Sequence, residues 1–310
     1  MRPVALVLGA MVAAGALAQP LPRAQVGHLE RLPGGASKYV AERPVDVWLP
    51  RGYDPARRYD VLYMQDGQML FDAATTWNHQ AWHVDVALQR LIDAGEVPPT
   101  IVVGVWNGGA ERYAEYFPQK ALALASEPVR RRYVEQASNG RSKADAYLRF
   151  LVEELKPEID RRYATRPGPA HTFVMGSSMG GLIALYAMSE YPQVFGGAAC
   201  LSTHWVGRPT AWGPVPELQN AELPLAVFGY LRDHAPDPAT HRLYMDHGTA
   251  GLDALYGVHQ RFADLLLRER GYGDAQYSSR VFQGADHTEA DWAARVGQPL
   301  RFLLGPDLAR

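Results

Sequence analysis

The sequence predicts an α/β chain, a mostly parallel central sheet flanked by helices on both faces. Three observations carry that expectation. Short runs that are apolar along their length recur between turn residues, as strands buried on both faces do. Segments of helical period separate several of them and supply the crossovers that parallel strands need. The chain has 310 residues, 47 % hydrophobic and 21 % charged, enough to build one large core.

The first 18 residues hold a basic residue (Arg2), an apolar run from Val4 to Leu17 and small residues at Ala16 and Ala18. This is the pattern of a secretory signal cut after Ala18. The run is shorter than the ~20 residues that span a bilayer, so no stable membrane anchor is expected. Residues 19–36, with Pro20, Pro22, Pro33, Gly34 and Gly35, read as an N-terminal segment that pairs at most one edge strand. One domain is expected from 37 to 305.

Within it the predicted strands are Val45–Pro50, Tyr59–Gln65, Thr100–Trp106, His171–Gly176, Ala198–Ser202, Arg242–Asp246 and Tyr277–Gln283. Leu148, Leu151, Val152, Leu155 and Ile159 recur at helical spacing, and Leu252, Leu255, Phe262, Leu265 and Leu266 do so less strictly. Two stretches, Gln119–Ala144 and Thr203–Pro238, are polar or Pro-rich and longer than ordinary connections, and are expected to wall or cover a cleft. Net charge is −2 with no long basic run, which removes the electrostatic footprint of a nucleic-acid binder. The single cysteine, Cys200, can form no internal disulfide.

Chemistry concentrates at Val174–Gly181, VMGSSMGG. An apolar strand runs into Gly-Ser-Ser-Met-Gly and then a helix, the context in which G-x-S-x-G exposes a nucleophile at a sharp turn. Spacing selects Ser178 over Ser177. A serine needs a base, and His287 in GADHTEADW follows the last predicted strand, at the same sheet edge as Ser178. The other histidines lack that placement. His79 and His83 stand at i, i+4 but without the glutamate of a zinc-binding helix, so no metal is expected. The orienting acid should lie between serine and histidine in the chain, which offers Asp246, ending a strand, and Asp253, in the loop after it; Asp253 is preferred for its reach toward His287. The backbone N–H groups of Met179 and Gln68, the latter after the Asp66-Gly67 turn, are the candidate oxyanion donors. Trp77, Trp106, Trp205 and Trp212 fall in segments leaving the same edge and could give the cleft aromatic walls.

Together, VWLPRGY, YMQDGQMLFD, GVWNGGAERYAEYFP, GSSMGG, DHGTAGLD and GADHTEADW, in this order over about residues 37–305, resemble one esterase branch of the α/β-hydrolases. That branch includes enterobactin-type siderophore esterases, feruloyl and acetyl-xylan esterases, S-formylglutathione hydrolase and the mycolyltransferases of the antigen 85 complex. The resemblance implies an α/β-hydrolase fold, with Ser178 as nucleophile, His287 as base, and Gln68 and Met179 as oxyanion donors. It also points to Asp253 as the acid, although here that residue stands slightly further from Gly248 than relatives often place it. Arg112, Glu115 and Tyr116 match a recurring R-x-x-E-Y, expected to tie down a loop. The implied activity is serine-dependent hydrolysis, without cofactor, of a small or polysaccharide-linked ester of feruloyl or acetyl type, or of a siderophore lactone. Acyl transfer to a sugar or lipid alcohol and a non-catalytic binding module of the same fold are the rival readings.

Overall fold

The structure, a computed structural model, describes residues 19–206 and 221–305, so the expected signal segment lies outside the described residues. Its centre is one eight-stranded sheet in the order β1-β2-β4-β3-β5-β6-β7-β8. The strands are β1 (His28–Arg31), β2 (Val45–Leu49), β3 (Asp60–Met64), β4 (Thr100–Val105), β5 (Thr172–Ser177), β6 (Gly197–Leu201), β7 (Arg242–Gly248) and β8 (Tyr277–Phe282). β1 and β2 pair antiparallel at one margin, and every pairing from β4 to β8 is parallel. The seven expected strands are β2 to β8, and the N-terminal segment adds the single edge strand β1.

Alternation along each strand divides the core into two layers. Val61 and Tyr63 of β3, Val103 of β4, Val174 of β5 and Cys200 of β6 face one layer. Leu62, Met64, Val102, Met175 and Leu201 face the other. The first layer is covered by α2 (Arg112–Tyr116), α3 (Gln119–Leu122), α4 (Glu127–Ala137), α5 (Ala144–Arg149), α6 (Lys156–Arg162), α7 (Met179–Glu190), α8 (Glu222–His234) and α9 (Gly257–Glu269). The second is covered by α1 (Val84–Asp93), α10 (Glu289–Arg295) and α11 (Gly297–Leu304). α7 is buried on every side from Met179 to Met188, which accounts for its apolar sequence over those residues. Between α5 and α6 the backbone widens into a π turn at Phe150–Leu155. Pro157 follows, and its missing N–H removes the donor a regular turn would use there. No helix among the described residues is long and apolar enough to cross a membrane.

The stretch 119–144 differs from expectation. It folds into α3 and α4 and sinks Ala121, Leu122, Tyr133 and Ala137 into the core, so it is a packed layer and not the wall of a cleft. Beneath it, Arg43 and Glu115 form a buried fork at 2.7 and 2.6 Å. Their side chains are 3 % and 1 % exposed, so removing one leaves a desolvated charge. Glu115→Ala is therefore expected to cost about 3–5 kcal/mol, read as a lower urea midpoint at unchanged m, while the apolar double variant Arg43→Met/Glu115→Leu recovers most of it. A single variant as stable as the parent would contradict this account.

Candidate active site

β5 ends at Ser177, which is buried, and the chain then reverses at Ser178 with φ 57 and ψ −125, a strained conformation for a residue with a side chain. The strain is held by four backbone bonds. Ser178 N–H donates to Leu201 O at 2.9 Å, and its carbonyl accepts from Gly181, Leu182 and His204 N–H at 3.1 to 3.2 Å. A Cβ on Gly176 would stand 2.5 Å from the Gly180 carbonyl oxygen, so the turn closes only with glycine there. Met179 is the first residue of α7, and its N–H belongs to the group with no partner inside the helix.

His287 leaves the loop after β8 and meets Asp253, which sits in a short helical turn (Gly251–Leu255) after β7. Nδ1 of His287 donates to Asp253 Oδ1 at 2.6 Å, which leaves Nε2 as the acceptor nitrogen. The ring is fixed edge-on between Tyr256 and Trp292, with centroids 5.7 and 5.0 Å away. Asp253 is wholly buried, and its Oδ2 accepts from Ser202 Oγ at 2.5 Å and Gly248 N–H at 2.6 Å. Any side chain at Gly248 would collide with Ala285 O, 2.0 Å from a Cβ, so glycine lets that N–H approach. Burial alone would raise the Asp253 carboxyl, but the bond to His287 and its positive field, with Ser202 and Gly248, outweigh it and hold it below the usual carboxylate range. Asp246, the other acid weighed from sequence, faces elsewhere. Its carboxylate accepts from Arg295 at 3.1 Å and Tyr244 at 3.1 Å, and burial pushes it up.

Gln68 is the middle residue of a one-turn helix, Gly67–Met69, that follows β3. The turn is held from the side by the R-x-x-E-Y residues. Arg112 grips Asp66 with two bonds of 2.7 Å, Tyr116 OH accepts from Asp66 N–H at 3.3 Å, and Glu115 anchors α2 through Arg43. Asn107 adds a bond of 2.6 Å to Asp66.

Ser178, His287 and Gln68 line one cleft of about 510 Å³, together with Trp77, Asn78, Trp82 and Trp292. A larger hollow of about 1380 Å³ lies at the opposite, amino edge of the sheet, around Arg242, Tyr277 and Arg301, and holds none of these residues. The cleft wall is the loop between β3 and α1, which carries Gln68 and Trp77 and, beside them, Asn78 and Gln80, two residues outside the sequence motifs. Its Asn78 donates to Glu289 Oε2 at 2.6 Å, and its Gln80 accepts from Ala290 N–H at 3.1 Å, so the loop is latched to the start of α10. Of the three proposed wall tryptophans among the described residues, Trp77 is the one on this cleft, 82 % exposed. Trp106 bonds Asp46 at 2.8 Å, Trp205 is buried against Phe228, and Trp212 lies outside the described residues. The described part of 203–238 contributes no residue to the lining. The His83 ring is bonded to Gln25 at 2.9 Å, and no cluster suited to a metal occurs among the described residues.

A model of the family described as "Putative esterase" matches residues 37–303. The uncharacterized protein YjcH of Bacillus subtilis (strain 168) is 26 % identical over 151 residues, 48 % of this chain and 51 % of YjcH, so the match spans about half the length of that relative. The ferri-bacillibactin esterase BesA of the same organism is 28 % identical over 265 residues, covering 82 % of this chain and 81 % of BesA. A solved ferulic acid esterase superposes with a TM-score of 0.63 at 19 % identity, covering 89 % of this chain and 98 % of its own. At that identity the likeness speaks for fold, and the fold is that of the α/β-hydrolases, as the sequence resemblance implies.

Proposed function

The chain belongs to the esterase family, and on that premise we propose that it is a carboxylic ester hydrolase, an exported serine esterase acting through an acyl-enzyme on Ser178. The observation that carries this reading is the 2.6 Å bond between a buried Asp253 and His287, which lines the same cleft as the strained serine. His287 Nε2 takes the Ser178 proton as the oxygen attacks the ester carbonyl, and the N–H groups of Met179 and Gln68 receive the oxyanion. The imidazolium, stabilised by Asp253, then protonates the departing alcohol, and water deacylates the serine by the same route. Serine, imidazole and backbone donors supply every group these steps use, so no metal or organic cofactor is required. Export rests on the signal-like pattern of the first 18 residues.

Similarity to a ferri-bacillibactin esterase and a ferulic acid esterase supports either a siderophore lactone or a feruloyl-type ester as substrate. The test is hydrolysis of p-nitrophenyl acetate, p-nitrophenyl butyrate, a feruloyl ester and a catecholate trilactone by the chain starting at Gln19, with Ser178→Ala beside it. Turnover of one class, lost in the variant, supports the reading. Absence of turnover together with no labelling of Ser178 by a phosphonate favours the binding module, and ester products formed on an added alcohol favour acyl transfer.

A further inference from the structure

Behind Asp253, on the side away from His287, lies a buried polar group that the steps above do not use. Ser202 follows β6, is fully buried and has a positive φ of 45. Its backbone N–H donates to Asp246 O at 2.8 Å, which pins the residue between the ends of β6 and β7. Its hydroxyl has three neighbours: Asp253 Oδ2 at 2.5 Å, Trp292 Nε1 at 2.9 Å and Arg295 Nη2 at 2.9 Å. An indole N–H and a guanidinium only donate. Both lone pairs of Ser202 are therefore taken, and its one proton has a single place to go.

We propose that Ser202 is a positioning residue for Asp253, its hydroxyl proton committed to Oδ2 by Trp292 and Arg295 so that Oδ1 is left to His287. The inference rests on the reading of Ser178, His287 and Asp253 given above. Arg295 completes the device. It is 3 % exposed, lies 3.6 Å from Asp253 Oδ2, and is balanced by Asp246 at 3.1 Å. The charge His287 feels is thus set by Asp253 and Asp246 from the β7 end and by Arg295 from α10. Tyr256 and Trp292 flank its ring, Asp286 accepts its backbone N–H, and the Arg112–Asp66 pair and Glu289 line the cleft before it.

The test is kcat and KM for p-nitrophenyl acetate across the acid limb of the pH profile, for Ser202→Gly and Asp246→Asn. Glycine accepts the positive φ, so Ser202→Gly removes the hydroxyl with little disturbance to the backbone. It is expected to lower kcat by about 10- to 100-fold, the weight of one hydrogen bond to a charged group, with KM within about two-fold. Its acid limb moves to higher pH, because Asp253 with one donor fewer binds the imidazolium more strongly. Asp246→Asn leaves the Arg295 charge unbalanced and moves the limb to lower pH by about half a unit or more.

A merely structural role would lower Tm and leave the limb in place. Overturning results are an unmoved limb with kcat within about two-fold in Ser202→Gly, or shifts of the same sign in both variants. If Ser202→Gly does not fold, an unmoved limb in Asp246→Asn overturns the inference on its own. A parent inactive on every ester, or a Ser178→Ala as active as the parent, brings down the site reading and this inference together. An active parent with unmoved variants brings down only the inference.

Discussion

Replacing Ser178 by alanine is expected to lower kcat for an ester substrate by about 10⁴- to 10⁶-fold while leaving the fold intact. Alanine keeps the Cβ and therefore the strain at φ 57, and the bonds that hold the turn, to Leu201 O and from Gly181, Leu182 and His204, are all made by the backbone. KM and Tm should stay near the parent values, and the residual rate would come from the Met179 and Gln68 N–H groups and from binding. Ser178→Gly separates chemistry from strain. It is equally inactive but should be more stable by about 1 kcal/mol, since a strained position of this kind stores about 1–3 kcal/mol and glycine gives some of that back in the unfolded chain. Steady-state kinetics with calorimetry on the parent and both variants would check this. A Ser178→Ala enzyme within about ten-fold of the parent would mean that the nucleophile lies elsewhere.

The parts of this molecule that were legible in its sequence are those in which local pattern and final environment coincide. β3 and β4 are apolar along their length because they are buried on both faces, and G-S-S-M-G is readable because a turn with Gly180 O against Gly176 excludes other residues. The stretch 119–144 reads as a cleft wall from sequence because α3 is a single short turn and α4 is mostly polar, and only their few buried residues, such as Leu122 and Tyr133, show that they pack. The wall at Trp77 and Asn78 has no period to detect. Its position comes from a bond between Asn78 and Glu289, partners 211 residues apart. Ser202 and Arg295 belong to no motif, and the available hints were a serine at the end of a predicted strand and an arginine eight residues beyond His287. Asp253 and Asp246 could be ranked by reach but not separated, because their difference lies in which partner bonds each in three dimensions: the His287 imidazole for one, the Arg295 guanidinium for the other.

That difference gives the second large expected effect. Asp253→Asn should reduce kcat by about 10⁴-fold, far more than Asp246→Asn. The reason is directional. Oδ2 of Asp253 receives two donors, Ser202 Oγ–H and Gly248 N–H, so an asparagine must place its carbonyl oxygen there. Its NH₂ group then occupies the position of Oδ1 and faces His287 Nδ1, which can only accept from it. The ring is driven into the tautomer with the proton on Nε2, and that nitrogen can no longer take the Ser178 proton. Asp246 has no such control over the ring, since its carboxylate meets Arg295 and Tyr244. Kinetics on both variants, with ¹⁵N shifts of the His287 ring to read the tautomer, test the argument. An Asp253→Asn enzyme that retains the Nδ1 proton and loses less activity than Asp246→Asn would refute it, and the orienting acid would have to be sought at Asp246.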